Sequence, residues 1–199
     1  MNQIAGTQAV PAGLSEPQSG VSSLLRSAGI VLAGSALVAI CAHVSIPLWF
    51  TPVPVTLQPF AVLLLGLLLS PRLAAGAMLA YLAEGAAGLP VFTPHGLGGM
   101  AQLLGPTGGY LLSYPLVAPA VSAIWRRGRC SFSRGVVVAA AGSLGTLALG
   151  ALWLGILTHA APTTILNHAI LPFLPGDALK VCAAAGIAAG ASRWKRREI

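Results

Sequence analysis

The segment PFLPGDALK, residues 172–180, sets an aspartate and a lysine three positions apart at the head of a run apolar enough for lipid: Asp177 and Lys180. On a helix that spacing places both on one face. Either residue costs about 2.5–3.5 kcal/mol at the centre of a spanning helix by insertion scales, so something must offset the pair. A structural reading is available for the acid, because Pro175-Gly176 makes a turn and Asp177 is a good helix N-cap residue. The lysine fits that reading poorly. A cation in a first turn opposes the helix dipole, and an ion pair with Asp177 would be its whole role. A functional reading accounts for both. Asp177 accepts hydrogen bonds from N–H groups of a small ligand, and Lys180 donates to its carbonyl or carboxylate.

Other polar residues gather toward the same end of the chain's apolar blocks. Glu84 follows Tyr81 by one turn. It either belongs to the same cavity, in contact with the ligand or one residue removed, or is an interfacial carboxylate, solvated or paired with Lys180. The connector PLWFTPVPVTLQPF, residues 47–60, sets Trp49, Phe50 and Phe60 among four prolines. Aromatic residues anchor at membrane interfaces. Prolines also stiffen a loop, and a stiff aromatic loop carrying Thr56 and Gln58 makes a lid over a small ligand. GPTGGY, residues 105–110, lacks the GK[ST] ending of a phosphate loop. It reads as a tight turn into an apolar helix, with the Tyr110 hydroxyl beside the cavity. His43, His95, His159 and His168 have no compact ligand spacing, and Cys41, Cys130 and Cys182 form no CxxC pattern. No metal and no cofactor are expected, and no Walker motif is present.

The elements that must position these groups are membrane helices. The chain is 56% hydrophobic and 8% charged, against roughly a quarter charged in a soluble domain. Too few charges remain to cover a water-soluble surface of this length. Six apolar blocks follow one another, at roughly 27–46, 56–70, 73–88, 110–125, 135–157 and 177–191. The spacing predicts an all-α integral membrane protein, a single six-transmembrane-helix bundle over residues 24–199. Residues 1–23, rich in Ser, Gly, Pro and Gln, read as a disordered tail. Arg26, Arg72, the 126–134 cluster and the C-terminal cluster fall on one side of a six-span alternation. By the positive-inside rule that side is cytoplasmic, with both termini, and the chain resides in the cell (inner) membrane. Small residues in GxxxG-like spacing recur, at Gly186/Gly190, Ala141/Gly145, Thr146/Gly150, Ala151/Gly155 and Ser35/Ala39. They serve close packing within the bundle or a docking face for another membrane protein.

The blocks IPLWFTPVPVTLQPFAVLLLGLLLSPRLAAGAMLAYLAEGAAGLPVF, LLGPTGGYLLSYPL and PFLPGDALK together resemble the BioY family, the biotin-specific substrate-binding (S) components of energy-coupling-factor transporters. The resemblance implies a six-helix S-component fold, biotin held near the extracellular face, and a first loop that closes over it. It maps the ligand-contacting Asp and Lys of the family onto Asp177 and Lys180, beside which Glu84, Gln58, Thr56, Tyr110 and Phe92 complete the candidate ligand-binding set. Biotin's ureido ring offers two N–H donors and a carbonyl, and its tail a carboxylate. Which end meets which residue is left open by the sequence. The family docks its first helix on a transmembrane coupling protein (T component) through an AxxxA-type pattern, for which Ser35 and Ala39 are the nearest match. ATPase subunits would then supply the energy, and a homo-oligomer is the alternative to dedicated partners. An S component for another vitamin, an intramembrane enzyme using Glu84, Asp177 and a histidine as acid, base or metal ligands, and a scaffold without a ligand are the competing readings.

Overall fold

In the computed structural model, which describes residues 18–195, proline sets several helix boundaries. Helix α1 (Gln18–His43) leads into a two-residue hairpin, β1 (Ser45–Ile46) and β2 (Val55–Thr56), and then into α2 (Gln58–Leu68) with Pro59 in its first turn. Proline suits that place because its missing N–H would have no partner within the helix. Ser70 is extended (ψ 156°) ahead of Pro71, and there the chain breaks and restarts as α3 (Pro71–Ala86), since a residue before proline is pushed out of the helical region. The remaining elements are α4 (Gly99–Leu104), α5 (Gly108–Arg126), α6 (Phe132–Thr158), α7 (Pro162–Ile165), a π-helical turn (Leu166–Ile170) and α8 (Leu174–Lys195).

The six apolar blocks correspond to α1, α2, α3, α5, α6 and α8, with shifted ends. α1 begins at Gln18, so residues 18–23 are helical rather than part of a disordered tail. The rest of that tail, residues 1–17, lies outside the described residues. Two helices, Val21–His43 and Phe132–Thr158, are long and apolar enough to cross a membrane. The pair Pro162–Ile170 and Leu174–Trp194, bent by 46°, makes a third if it is one span. α2 has 11 residues, about 16 Å at 1.5 Å per residue, roughly half the hydrocarbon thickness. Helix length alone therefore supports two or three spans rather than six. α4 and α7 also lie in segments that the sequence leaves irregular.

Small residues set how closely the helices approach. A Cβ added at Gly109 on α5 would stand 2.2 Å from the Trp153 Cβ and 2.8 Å from the Leu149 carbonyl oxygen of α6. At Gly142 it would meet Val121 and Leu63, and at Gly34 the Ala77 Cβ. These glycines let backbones approach where hydrophobicity gives helices no reason to associate. Gly190 differs, with nothing within 4 Å, and Gly186 sees only the Phe132 ring. That pair does no packing within the bundle. The buried core runs through Val38, Met78, Tyr81 and Tyr114 on one side, and through Leu63, Val121, Val138 and Ala184 on the other. Large apolar side chains also face outward, among them Leu32 and Ile40 on α1 and Val137, Leu144, Leu152 and Ile156 on α6. Exposed apolar surface of this extent suits lipid rather than water.

The arginines gather at one end. Arg126 donates to the Leu69 carbonyl and Arg134 to that of Ile124, and Arg129 and Arg193 line one hollow. At the opposite end α6 stops on His159, which is left-handed at φ 52°. That conformation costs an L-residue roughly 1–2 kcal/mol and glycine little. His159→Gly is therefore expected to stabilise the protein by about 1 kcal/mol, read as a higher unfolding midpoint in detergent. An unchanged or lower midpoint would contradict this account of the α6 cap.

Candidate functional site

Helices α2, α4, α5, α6 and α8, with the connectors between them, enclose a cavity at the end of the bundle away from the arginines. About 50 Å³ of it is open to the centres of water molecules. Asp177 and Lys180 line it, 6% and 8% exposed respectively. Asp177 lies within the first turn of α8, three residues after its start, so it does not cap the helix. Both carboxylate oxygens are engaged by side chains. Lys180 Nζ donates to Oδ1 at 2.9 Å, and Ser143 Oγ of α6 donates to Oδ2 at 2.7 Å. These are charge-assisted bonds. The pairing offsets a desolvation cost that either ion alone would suffer in full. An ammonium has three donors, and among the described residues one of them is used, so Lys180 keeps donors for a ligand.

The cavity roof is the proline-rich connector, through Val53, Pro54 and Thr56. The β1–β2 hairpin pinches its base, pairing Ser45 with Thr56 and Ile46 with Val55. At its tip Thr51 Oγ1 donates to the His168 carbonyl at 2.9 Å, and the Phe50 ring meets the His168 ring edge-on. The roof is thus fastened to the segment ahead of α8. Beneath it Thr56 donates to Gln58 Oε1 at 3.1 Å, and Gln58 Nε2 donates to the Tyr81 hydroxyl at 2.6 Å. The Tyr110 hydroxyl donates to the Ala169 carbonyl at 2.8 Å, in the π-helical turn closed by the bond from Leu171 N–H to the Leu166 carbonyl. Such wide turns recur at functional sites.

Five of the sequence-derived candidates, Asp177, Lys180, Gln58, Thr56 and Tyr110, therefore line one cavity. This end also carries residues that the sequence reading did not place at the site: Ser143, Thr146, Thr93, Gln102, Thr107 and Phe173. Ser143 and Thr146 had a legible signal, two hydroxyls three apart on one face of an apolar helix. Thr93, Gln102 and Thr107 had none, since their segment reads as loop.

Comparison with known proteins places this arrangement. The BioY family profile matches residues 14–197. The chain belongs to the BioY family. It is 36% identical over 153 residues to the probable biotin transporter BioY of Pyrococcus horikoshii, covering 77% of this chain and 88% of that one. It is 36% identical over 165 residues to the biotin transporter BioY of Thermotoga maritima, covering 83% and 93%. Among solved structures it matches the S-component for biotin from an ECF-type ABC transporter, with a TM-score of 0.77 and 27% identity over 89% of this chain and 94% of that one. The fold is thus that of an ECF S component, and the family is one of transporters, not of enzymes.

Within this BioY-family chain three sequence assignments need correction. Glu84 does not line the cavity and does not pair with Lys180. Its side chain accepts a hydrogen bond from Ser35 of α1, because a helical side chain leans back toward its own N-terminus and meets the α1 crossing. Ser35 is in turn fully buried and so presents no surface to a partner, while Ala39 is half-buried. Phe92 is buried but is not a lining residue. It stands edge-on to Tyr81 with centroids 5.3 Å apart and sits over Gly85, where a Cβ would lie 2.1 Å from the ring. Phe92 therefore supports Tyr81 from behind. Among the described residues no group of three or more His, Cys, Asp or Glu side chains is placed to hold a metal ion.

Proposed function

We propose that this chain captures biotin at the outer face of the cell membrane, as the substrate-binding component of an energy-coupled uptake transporter. The observation that carries the reading is the buried Asp177–Lys180 pair, set in a cavity beneath a fastened loop. An acceptor and a cationic donor side by side complement a ureido ring, whose two N–H groups and carbonyl need both. The names of the curated relatives as biotin transporters support the substrate. The positive-inside bias supports six spans, α1, α2, α3, α5, α6 and α8, with both termini cytoplasmic. Biotin enters from outside, and the 47–58 connector closes over it. The bundle then reorients when a transmembrane coupling protein changes shape, driven by ATPase subunits. No cofactor takes part. The sequence has no GxxxxGK[ST] run, and the related solved structure is described as part of an ABC transporter; both favour hydrolysis in partner subunits.

The test is isothermal titration of biotin into detergent-purified protein stripped of bound vitamin, followed by uptake in liposomes. Tight binding is expected, with no uptake by the chain alone. A folded, stripped protein that does not bind biotin would refute the substrate. Uptake by the chain alone would refute the need for an ATPase, and the oligomeric state would then be measured.

The roof latch makes a separate expectation. Thr51→Val removes the bond to the His168 carbonyl, worth about 1 kcal/mol. Biotin should then dissociate about fivefold faster while its association rate changes little, by stopped-flow displacement. An unchanged dissociation rate would mean that the connector does not hold the ligand in.

A further inference from the structure

The end of the bundle opposite the cavity holds cations that the protein does not use. Arg129, Cys130, Ser131, Ser192 and Arg193 line a hollow between the α5–α6 connector (residues 127–131) and the last turn of α8, with about 350 Å³ open to the centres of water molecules. That is far more than one water needs. Two neighbouring arginines are spent within the protein. Arg126 bonds the Leu69 carbonyl, and Arg134 bonds that of Ile124. The Arg134 guanidinium also lies over Gly128, where a Cβ would stand 1.3 Å from it, so it fastens the connector that carries Arg129. Arg129 and Arg193 are exposed, and among the described residues no acid is free to balance them. Glu84 takes the Ser35 hydroxyl, and Asp177 takes Ser143 and Lys180. The Ser131 oxygen accepts from the Arg134 N–H at 3.4 Å, and its own proton remains to be given. Two guanidinium forks and a hydroxyl donor therefore share one hollow.

A phosphate suits this set, because a planar guanidinium grips phosphate oxygens two at a time. The surroundings decide which kind of phosphate. Trp194, next to Arg193, is 70% exposed, as an anchor at a membrane interface is. Toward the middle of the bundle α6 turns Val137 and Leu144 outward, and α8 turns Ile187 outward. On α8 Gly186 and Gly190 share a face with Arg193, and nothing stands within 4 Å of a Cβ placed at Gly190. An acyl chain can lie along that bare face with its phosphate in the hollow, whereas a free phosphate gains nothing from it. We infer that the hollow binds the phosphate of an anionic phospholipid, held by Arg129, Arg193 and Ser131, with an acyl chain along the Gly186–Gly190 face of α8. Basic pockets between spanning helices are a known kind of anionic-headgroup site. The bound phosphate also relieves the repulsion between two like charges that share one hollow. The inference is independent of what the cavity at the other end binds.

The experiment uses the full chain, purified in detergent and freed of co-purified lipid, and measures retention of dioleoyl-phosphatidylglycerol by native mass spectrometry. Dioleoyl-phosphatidylcholine carries the same chains on a zwitterionic headgroup, and glycerol phosphate carries the phosphate without chains. Wild type should retain phosphatidylglycerol in preference to phosphatidylcholine, and its unfolding midpoint should rise with that lipid. Glycerol phosphate at the same concentration should neither bind nor raise the midpoint. The double variant Arg129→Gln with Arg193→Gln should lose about thirtyfold in affinity for phosphatidylglycerol. It strands no partner, so without lipid it should unfold like wild type. Arg129→Lys with Arg193→Lys keeps the charge without the forks and should lose most of the preference. Arg72→Gln, at an exposed arginine outside the hollow, should change nothing. A lysine pair that held the lipid as well as wild type, or an Arg72→Gln loss equal to that of the glutamine pair, would reduce the effect to the charge of the whole basic end and overturn the site. Equal retention of phosphatidylcholine, or glycerol phosphate bound as tightly as the lipid, would overturn the lipid as its occupant.

Discussion

Lys180→Met is expected to weaken biotin binding by at least about a hundredfold and to destabilise the protein as well. The two losses have different causes. Lys180 Nζ bonds Asp177 Oδ1 at 2.9 Å in a setting where both residues are less than a tenth exposed. Removing the ammonium leaves a buried carboxylate with Ser143 as its remaining partner, which costs about 3–5 kcal/mol in comparable pairs. It also removes the donors that would meet the ligand carbonyl. Asp177→Asn should act similarly, since it strands the lysine and replaces an acceptor-only group with one that presents donors to ligand N–H groups. The double substitution Asp177→Asn with Lys180→Met separates the causes. It carries no buried charge, so it should regain much of the stability lost in either single variant. It should not regain binding. Titration and thermal unfolding of the four proteins in one detergent give both readouts. A double variant that bound biotin within a few-fold of wild type would reduce the pair to a structural feature.

Gly109→Val carries the other large expected effect, a loss of about 3 kcal/mol in stability or failure to yield a monodisperse protein. The obstacle is partly backbone. The Leu149 carbonyl oxygen stands 2.8 Å from the added Cβ, and the Trp153 Cβ stands 2.2 Å from it. Neither is the far end of a flexible side chain, so α5 and α6 would have to separate. Tyr110 would shift with α5, because its ring lies over Gly150 and its hydroxyl holds the Ala169 carbonyl. Binding should fall along with stability. Gly190→Val is the control, an exposed glycine with no neighbour within 4 Å, and should shift stability by no more than the cost of a β-branched residue in a helix, below about 1 kcal/mol. Equal midpoints for the two variants would mean that the α5–α6 approach is looser than these distances.

Five residues of the candidate site could be picked out in the sequence because a membrane makes polar residues conspicuous. Against a chain that is 8% charged, an acid and a lysine three apart at the start of an apolar run need a reason, and the sequence alone pointed to a ligand. Likewise the prolines of the 47–60 connector implied a stiff lid, and Tyr110 a wall of the cavity. Composition also determined the helical class, and the resemblance of three separated blocks named the family.

Tertiary structure decided which polar groups share a space. Glu84, read as a cavity candidate, turned to Ser35, because helix crossing and side-chain lean are set by which helix packs beside α3. Ser35 was buried by the same contact and left the surface a partner would use. Thr93, Gln102 and Thr107 come from a stretch whose sequence shows only turns. They line the cavity because α4 and the start of α5 fold against it. Spacing along one helix can be counted in a sequence. Adjacency between helices depends on packing among small residues, and many pairings are compatible with the same apolar pattern.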